Sequence, residues 1–114
     1  MIRRNKFNAK KVTVDGIQFD SKREAAYYGE LKLRERAGEV VSLRCHPTFT
    51  LTAHGKTICK FKPDFVFGDS NLRMADRAIR YVDVKSPPTA KKADFRLKKK
   101  LFEAQYGVEL EIVF

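Results

Sequence analysis

A chain of 114 residues, 43% hydrophobic and 11% aromatic, suits one domain around one core, and this composition argues against disorder. Its formal net charge of +10 makes a polyanion the default partner. No apolar run is long enough to cross a bilayer, and no apolar signal segment follows the basic start Met1–Lys6.

Residues 1–11 read as a basic arm, and residues 12–114 as a single domain. Val12-Thr13-Val14 and Ile17-Gln18-Phe19 alternate around Asp15-Gly16, which predicts a hairpin with a two-residue turn. Ser21-Lys22-Arg23-Glu24 opens a helix that Ala37-Gly38 closes, with Ala25, Tyr28 and Leu31 on its apolar stripe. Beyond Gly38 the pattern turns strand-like. Thr48–Thr52 alternates, His54-Gly55-Lys56 reads as a turn, and Thr57–Phe67 forms a second run broken by Pro63. Gly68–Asn71 is a turn cluster, Asn71–Arg77 has no clear period, and Arg80–Lys85 is a third strand. After Ser86-Pro87-Pro88, Thr89 is expected to cap a helix running to Tyr106, with Ala93, Leu97, Leu101 and Ala104 as its stripe. Gly107 ends that helix and Val108–Phe114 is the last strand. The order helix, three strands, helix, strand predicts an α/β fold: a small mixed sheet flanked by helices, preceded by the arm and hairpin.

Two carboxylates stand out in this pattern. Asp64 follows Pro63 in an apolar run, and Asp83 lies within Tyr81-Val82-Asp83-Val84-Lys85. Asp is depleted in strands, and an unpaired buried carboxylate is strongly disfavoured. Side chains alternate along a strand, so Asp83 and Lys85 share a face that Asp64 on a neighbouring strand can meet. Two carboxylates about 4 Å apart repel by about 4 kcal/mol at an effective dielectric of 20. A shared divalent cation removes that repulsion, and oxygen ligands favour Mg²⁺ or Mn²⁺ over zinc. Glu24 admits two roles. Ser21-x-x-Glu24 is a capping-box pattern, yet the helix's first turn also lets its carboxylate reach a metal.

The excess charge is clustered. Arg3, Arg4, Lys6, Lys10 and Lys11 occupy the arm without an acid, and Lys91, Lys92, Arg96, Lys98, Lys99 and Lys100 surround the lone Asp94. The rest of the chain balances, so these two blocks form an electrostatic footprint for nucleic acid, and not every lysine from 98 to 100 can face it. Backbone contacts of this kind position a strand without reading much sequence. His46 and His54 are candidate ligands or proton carriers, but they precede Pro47 and Gly55 and so read first as loop or strand-end residues. Tyr27, Tyr28, Phe95, Phe102 and Tyr106 read as core at helical spacing. Cys45 and Cys59, without a CxxC pair, point to reduced thiols and a cytosolic setting.

Pro63-Asp64 … Asp83-Val84-Lys85 after a helical Glu24 resembles the PD-(D/E)XK nuclease superfamily, whose element order also matches. Within it the chain resembles small phage-encoded endonucleases related to endonuclease I and Holliday junction resolvases. Val14–Ala25 and Lys98–Gly107 carry that likeness, which spans residues 6–114. The resemblance implies a Mg²⁺-dependent deoxyribonuclease of DNA recombination, with Mn²⁺ as substitute. Asp64, Asp83 and the Val84 carbonyl would bind the metal, and Glu24 would complete the site directly or through water. Lys85 would orient the attacking water or stabilise the phosphate. The same resemblance implies duplex or branched DNA as substrate, a homodimer, no membrane, and action inside a bacterial host. The stretch from Asp69 to Arg80 is longer than a simple hairpin turn and leaves Asp69 and Asp76 as rival acids, both in turn-like contexts that favour solvation. Alternative readings are a transposon-end nuclease working with a partner and a non-catalytic nucleic-acid-binding module.

Overall fold

The computed structural model describes residues 11–71 and 78–114. The basic arm from Arg3 to Lys10, and Asp76, lie outside that range. Strands β1 (Val12–Val14) and β2 (Ile17–Phe19) pair antiparallel around Asp15-Gly16. Both turn residues have positive φ, 53° and 76°, as a tight hairpin turn requires. Helix α1 (Lys22–Arg36) starts at Ser21, whose hydroxyl accepts from the Glu24 N–H at 3.1 Å. Tyr28 donates its hydroxyl to Asp15 at 2.8 Å and fastens the hairpin to this helix.

The main sheet has the order β3-β6-β7-β8, formed by Val40–Cys45, Phe65–Asp69, Ile79–Val84 and Leu110–Val113. The first three strands are antiparallel, and β8 runs parallel to β7. The β7–β8 connection carries the short helix α2 (Pro87–Ala90) and the longer α3 (Ala93–Tyr106), as a parallel pair needs a crossover. Gly68 sits where β3 presses on β6; a Cβ there would lie 2.8 Å from a Val41 methyl. Gly107 closes α3 in the left-handed region at φ 66°.

The α/β class and the α-β-β-β-α-β order hold, but two of the three middle strands differ from those expected. The first is Val40–Cys45. Thr48–Thr52 falls in β4 (Phe49–Ala53), which pairs with β5 (Lys56–Phe61) as a separate two-stranded hairpin inserted between β3 and β6. Pro63 divides the expected Thr57–Phe67 run between β5 and β6. Both β3 and β4 alternate, so period alone does not separate a sheet member from an insertion. Burial does: Phe65, Val66 and Phe67 are consecutive and buried, which needs cover on both faces.

Two apolar clusters supply that cover. Phe19, Tyr28, Leu31, Val40, Phe65, Phe67 and Val82 form one, with α1 packed on it. Leu51, Phe61, Phe102 and Leu110 form the other, where α3 meets the inserted hairpin. Gln105 and Tyr106 fix that contact: Gln105 accepts from the Thr52 N–H at 2.8 Å, and the Thr50 carbonyl accepts from both side chains. The buried stripe of α3 therefore runs through Phe95 and Phe102. Leu97, expected inside, is 59% exposed. Both stripes satisfy the helical period, and the larger aromatic surface takes the core. Thr89 is not a cap of α3. It lies within α2, its hydroxyl 2.9 Å from that of Ser86, and Lys92 occupies the N-cap position. Among the described residues no helix is long and apolar enough to cross a membrane.

Candidate metal centre

Sheet register assembles the site. Phe65 pairs with Cys45 on one side and Val82 on the other. The next residue out on each strand is His46, Asp64 or Asp83, so the three form a row at one end of the sheet. The His46 N–H donates to the Asp64 carbonyl at 2.9 Å and holds the row together. Glu24, in the first turn of α1, meets this end from above the sheet. The Ser21 hydroxyl caps the helix, but the Glu24 carboxylate turns to the row instead, with Oε2 at 3.2 Å from His46 Nε2.

Asp64 and Asp83 are locked by crossed hydrogen bonds. The Asp64 N–H donates to Asp83 Oδ1 at 2.8 Å, and the Val84 N–H donates to Asp64 Oδ2 at 2.8 Å. Lys85 lies on the Asp83 face, as the strand period predicts, with Nζ 3.4 Å from Asp83 Oδ2 and 4.8 Å from the centre of the Phe95 ring. The other side of Asp64 looks toward His46, 4.0 Å from Oδ1. Glu24, His46 and Asp64 thus bring three ligand atoms within 4.8 Å of one another and could hold a metal ion. Asp83 stands beside that triad, with Oδ1 on the Asp64 N–H and Oδ2 by Lys85.

Electrostatics fit a missing positive charge. Glu24, Asp64 and Asp83 are 2%, 8% and 1% exposed. Burial, then the Glu24 charge, pushes the Asp64 carboxyl up to about 7, although the Val84 N–H, Lys85 and His46 oppose the rise. Burial, then Asp64, pushes Asp83 up to about 6 against the pull of Lys85. Asp69 is an internal control. Expected in a solvated turn, it instead ends β6, 5% exposed, with Arg34 at 3.2 Å and Arg80 at 3.0 Å. Burial raises its carboxyl too, but the Asn71 N–H, Arg80 and Arg34 outweigh that and hold it below the usual carboxylate range. One buried acid has its cations built in. The three carboxylates at the other end of the sheet share one lysine, which is where a bound cation relieves repulsion.

The remaining expected site residues divide. Lys11, Lys91, Lys92 and Arg96 are exposed. Lys98 lines a cavity of about 440 Å³ that also touches Asp83 and Lys85. Lys99 turns back to Glu103 at 3.0 Å, so its charge is engaged within the helix. Tyr28 and Phe102 are buried as core, and Tyr106, 40% exposed, bonds Thr50. Cys45 and Cys59 are free thiols, and burial pushes Cys45 up to about 11, which makes it inert. His46, which reads from sequence as a loop or strand-end residue, is the member that the acid motif does not include; it directly follows β3. Its φ of 52° lets the chain leave β3 with the ring turned into the site. The one available signal was its place at the end of a strand-like run.

Residues 4–113 match the family model described as protein of unknown function (DUF1064). No curated protein matches the chain, and no solved structure does.

Proposed function

The chain belongs to the DUF1064 family, and we propose that it is a metal-dependent DNA endonuclease that hydrolyses phosphodiester bonds in branched or junction DNA. The observation that carries this reading is the crossed Asp64–Asp83 pair with Lys85 on one side and Glu24 and His46 on the other. A protein that only bound nucleic acid would gain nothing from three buried carboxylates in a chain of net charge +10. The likeness of Glu24, Asp64, Asp83 and Lys85 to the PD-(D/E)XK pattern supports the same reading, because the fold gathers these four residues at one end of its sheet.

A divalent ion, Mg²⁺ or Mn²⁺, supplies a bound water of lowered pKa and positive charge against the phosphate. Glu24, His46 and Asp64 are the side chains placed to hold it. Asp83 keeps Asp64 oriented through the Asp64 N–H and holds the Lys85 ammonium beside the row. Lys85 is then positioned to stabilise negative charge developing on the phosphate oxygens as water oxygen bonds to phosphorus and the ester P–O bond breaks. The attacking water gives up its proton to solvent, and the departing oxygen takes a proton from solvent.

Cleavage of four-way junction, flap, duplex and single-stranded DNA, each with Mg²⁺, Mn²⁺ or EDTA, tests this. Branched substrates are expected to be nicked with either metal and left intact in EDTA. Intact DNA throughout would overturn the reading. The imidazole adds a nitrogen donor to an otherwise oxygen site, which shifts preference from Mg²⁺ toward Mn²⁺. Titration calorimetry should show Mn²⁺ bound more tightly than Mg²⁺, and His46→Ala should cost Mn²⁺ about 10–100-fold while costing Mg²⁺ less. An equal loss for both ions would remove His46 from the ligand set.

A further inference from the structure

The cavity beside Asp83 is a second feature, and Glu24, His46 and Asp64 do not line it. Its volume is about 440 Å³, the size of a small-ligand pocket. The inserted β4–β5 hairpin and the residue after it supply one wall through Lys60, Phe61 and Lys62, and α3 supplies the other through Asp94, Phe95 and Lys98. Lys85 lies at the boundary with the acid row. Ammonium groups from two walls with aromatic carbon between them match a phosphate joined to a flat base and sugar. The room suits one nucleotide.

We propose that this cavity is a subsite for a single unpaired nucleotide adjoining the cut, gripped at its phosphate by Lys60, Lys62 and Lys98 and packed at its apolar side on Phe95. The inference rests on the nuclease reading and narrows its substrate class to DNA with an unpaired nucleotide next to the scissile bond. Lys60 and Lys62 are exposed and belong to neither charge block, so they enter the site only because the hairpin is folded against α3.

Fluorescence anisotropy in EDTA reads binding without cleavage. The labelled probes are a single strand, the blunt duplex of the same sequence and that duplex bearing an unpaired flap. The single strand and the flap are expected to bind about tenfold more tightly than the blunt duplex. The double variant Lys60→Ser/Lys62→Ser should lose that preference, with the salt slope for the single strand falling by about 1.4. Phe95→Leu should weaken the unpaired probes and leave the salt slope unchanged, which separates packing from charge; circular dichroism confirms that each variant is folded. Equal affinity for blunt and unpaired probes would overturn the subsite, as would a preference that survives the double variant. Cleavage that persists without dependence on Lys60 and Lys62 sinks the subsite alone. Cavity-dependent binding with no cleavage in any metal sinks the nuclease reading alone.

Discussion

Asp83→Asn is expected to abolish metal-dependent cleavage, by at least about 100-fold, and at the same time to make the metal-free protein more stable. Both effects follow from one geometry. The asparagine Oδ1 can still accept from the Asp64 N–H, so the crossed hydrogen bonds that hold the row survive. What disappears is the charge that places Lys85. At pH 8 that charge is a burden on the fold, because burial and Asp64 lift the Asp83 carboxyl to about 6. Each pH unit above the ordinary value costs about 1.4 kcal/mol once the group is ionised. The neutral residue should therefore gain about 1–3 kcal/mol, read as a rise of roughly 5 °C or more in thermal denaturation. Asp69→Asn supplies the contrast. Its carboxylate is held by Arg34 and Arg80, so removing it should destabilise the protein by about 2–4 kcal/mol. A destabilised Asp83→Asn protein would mean that Asp83 serves the fold as Asp69 does, and would remove it from the site.

That contrast also shows what the sequence made legible. Asp83 and Lys85 share a face because strand side chains alternate, and no tertiary knowledge is needed for that. The Asp15-Gly16 turn, the Ser21 cap and the Gly107 terminus are equally local, since each is dictated by backbone conformation within a few residues. Asp64 stood out because a carboxylate in an apolar run has few alternatives to a partner. The rest depended on register or on distant side chains. His46 joins the row only because Cys45 pairs with Phe65, twenty positions further on, and chain pattern is silent on which strand lies beside which. The partners of Asp69 come from α1 and β7, so its burial could not be read from its turn-like neighbours. The β4–β5 insertion was mistaken for part of the main sheet because alternation reports a strand and not its sheet. Lys99 illustrates the same limit on charge: its place in a basic block suggested DNA, and an acid one helical turn away claims it.

Metal should stabilise the protein far more at pH 8 than at pH 5. Asp64 and Asp83 have ordinary values of 3.8, lifted to about 7 and about 6 in the fold. Below about pH 4 both states are protonated and the pair costs nothing. As pH rises from about 4 to about 7 the unfolded chain releases these protons first, so the folded state loses stability across that window and no further above it. Asp69 has the opposite sign, but its folded value lies below the usual range, so its contribution is already complete at pH 5. The metal-free protein should thus lose roughly 4 kcal/mol between pH 5 and pH 8 from the acid pair. A divalent ion competes with the protons for the same oxygens and offsets the repulsion, so its affinity rises as the carboxyls ionise. Thermal denaturation with EDTA and with saturating Mn²⁺ at the two pH values measures both terms. The EDTA curve should fall with pH, the Mn²⁺ curve should stay nearly level, and Asp83→Asn should flatten the EDTA curve. The same Mn²⁺ gain at pH 5 and pH 8 would mean that the ion binds somewhere other than this acid row.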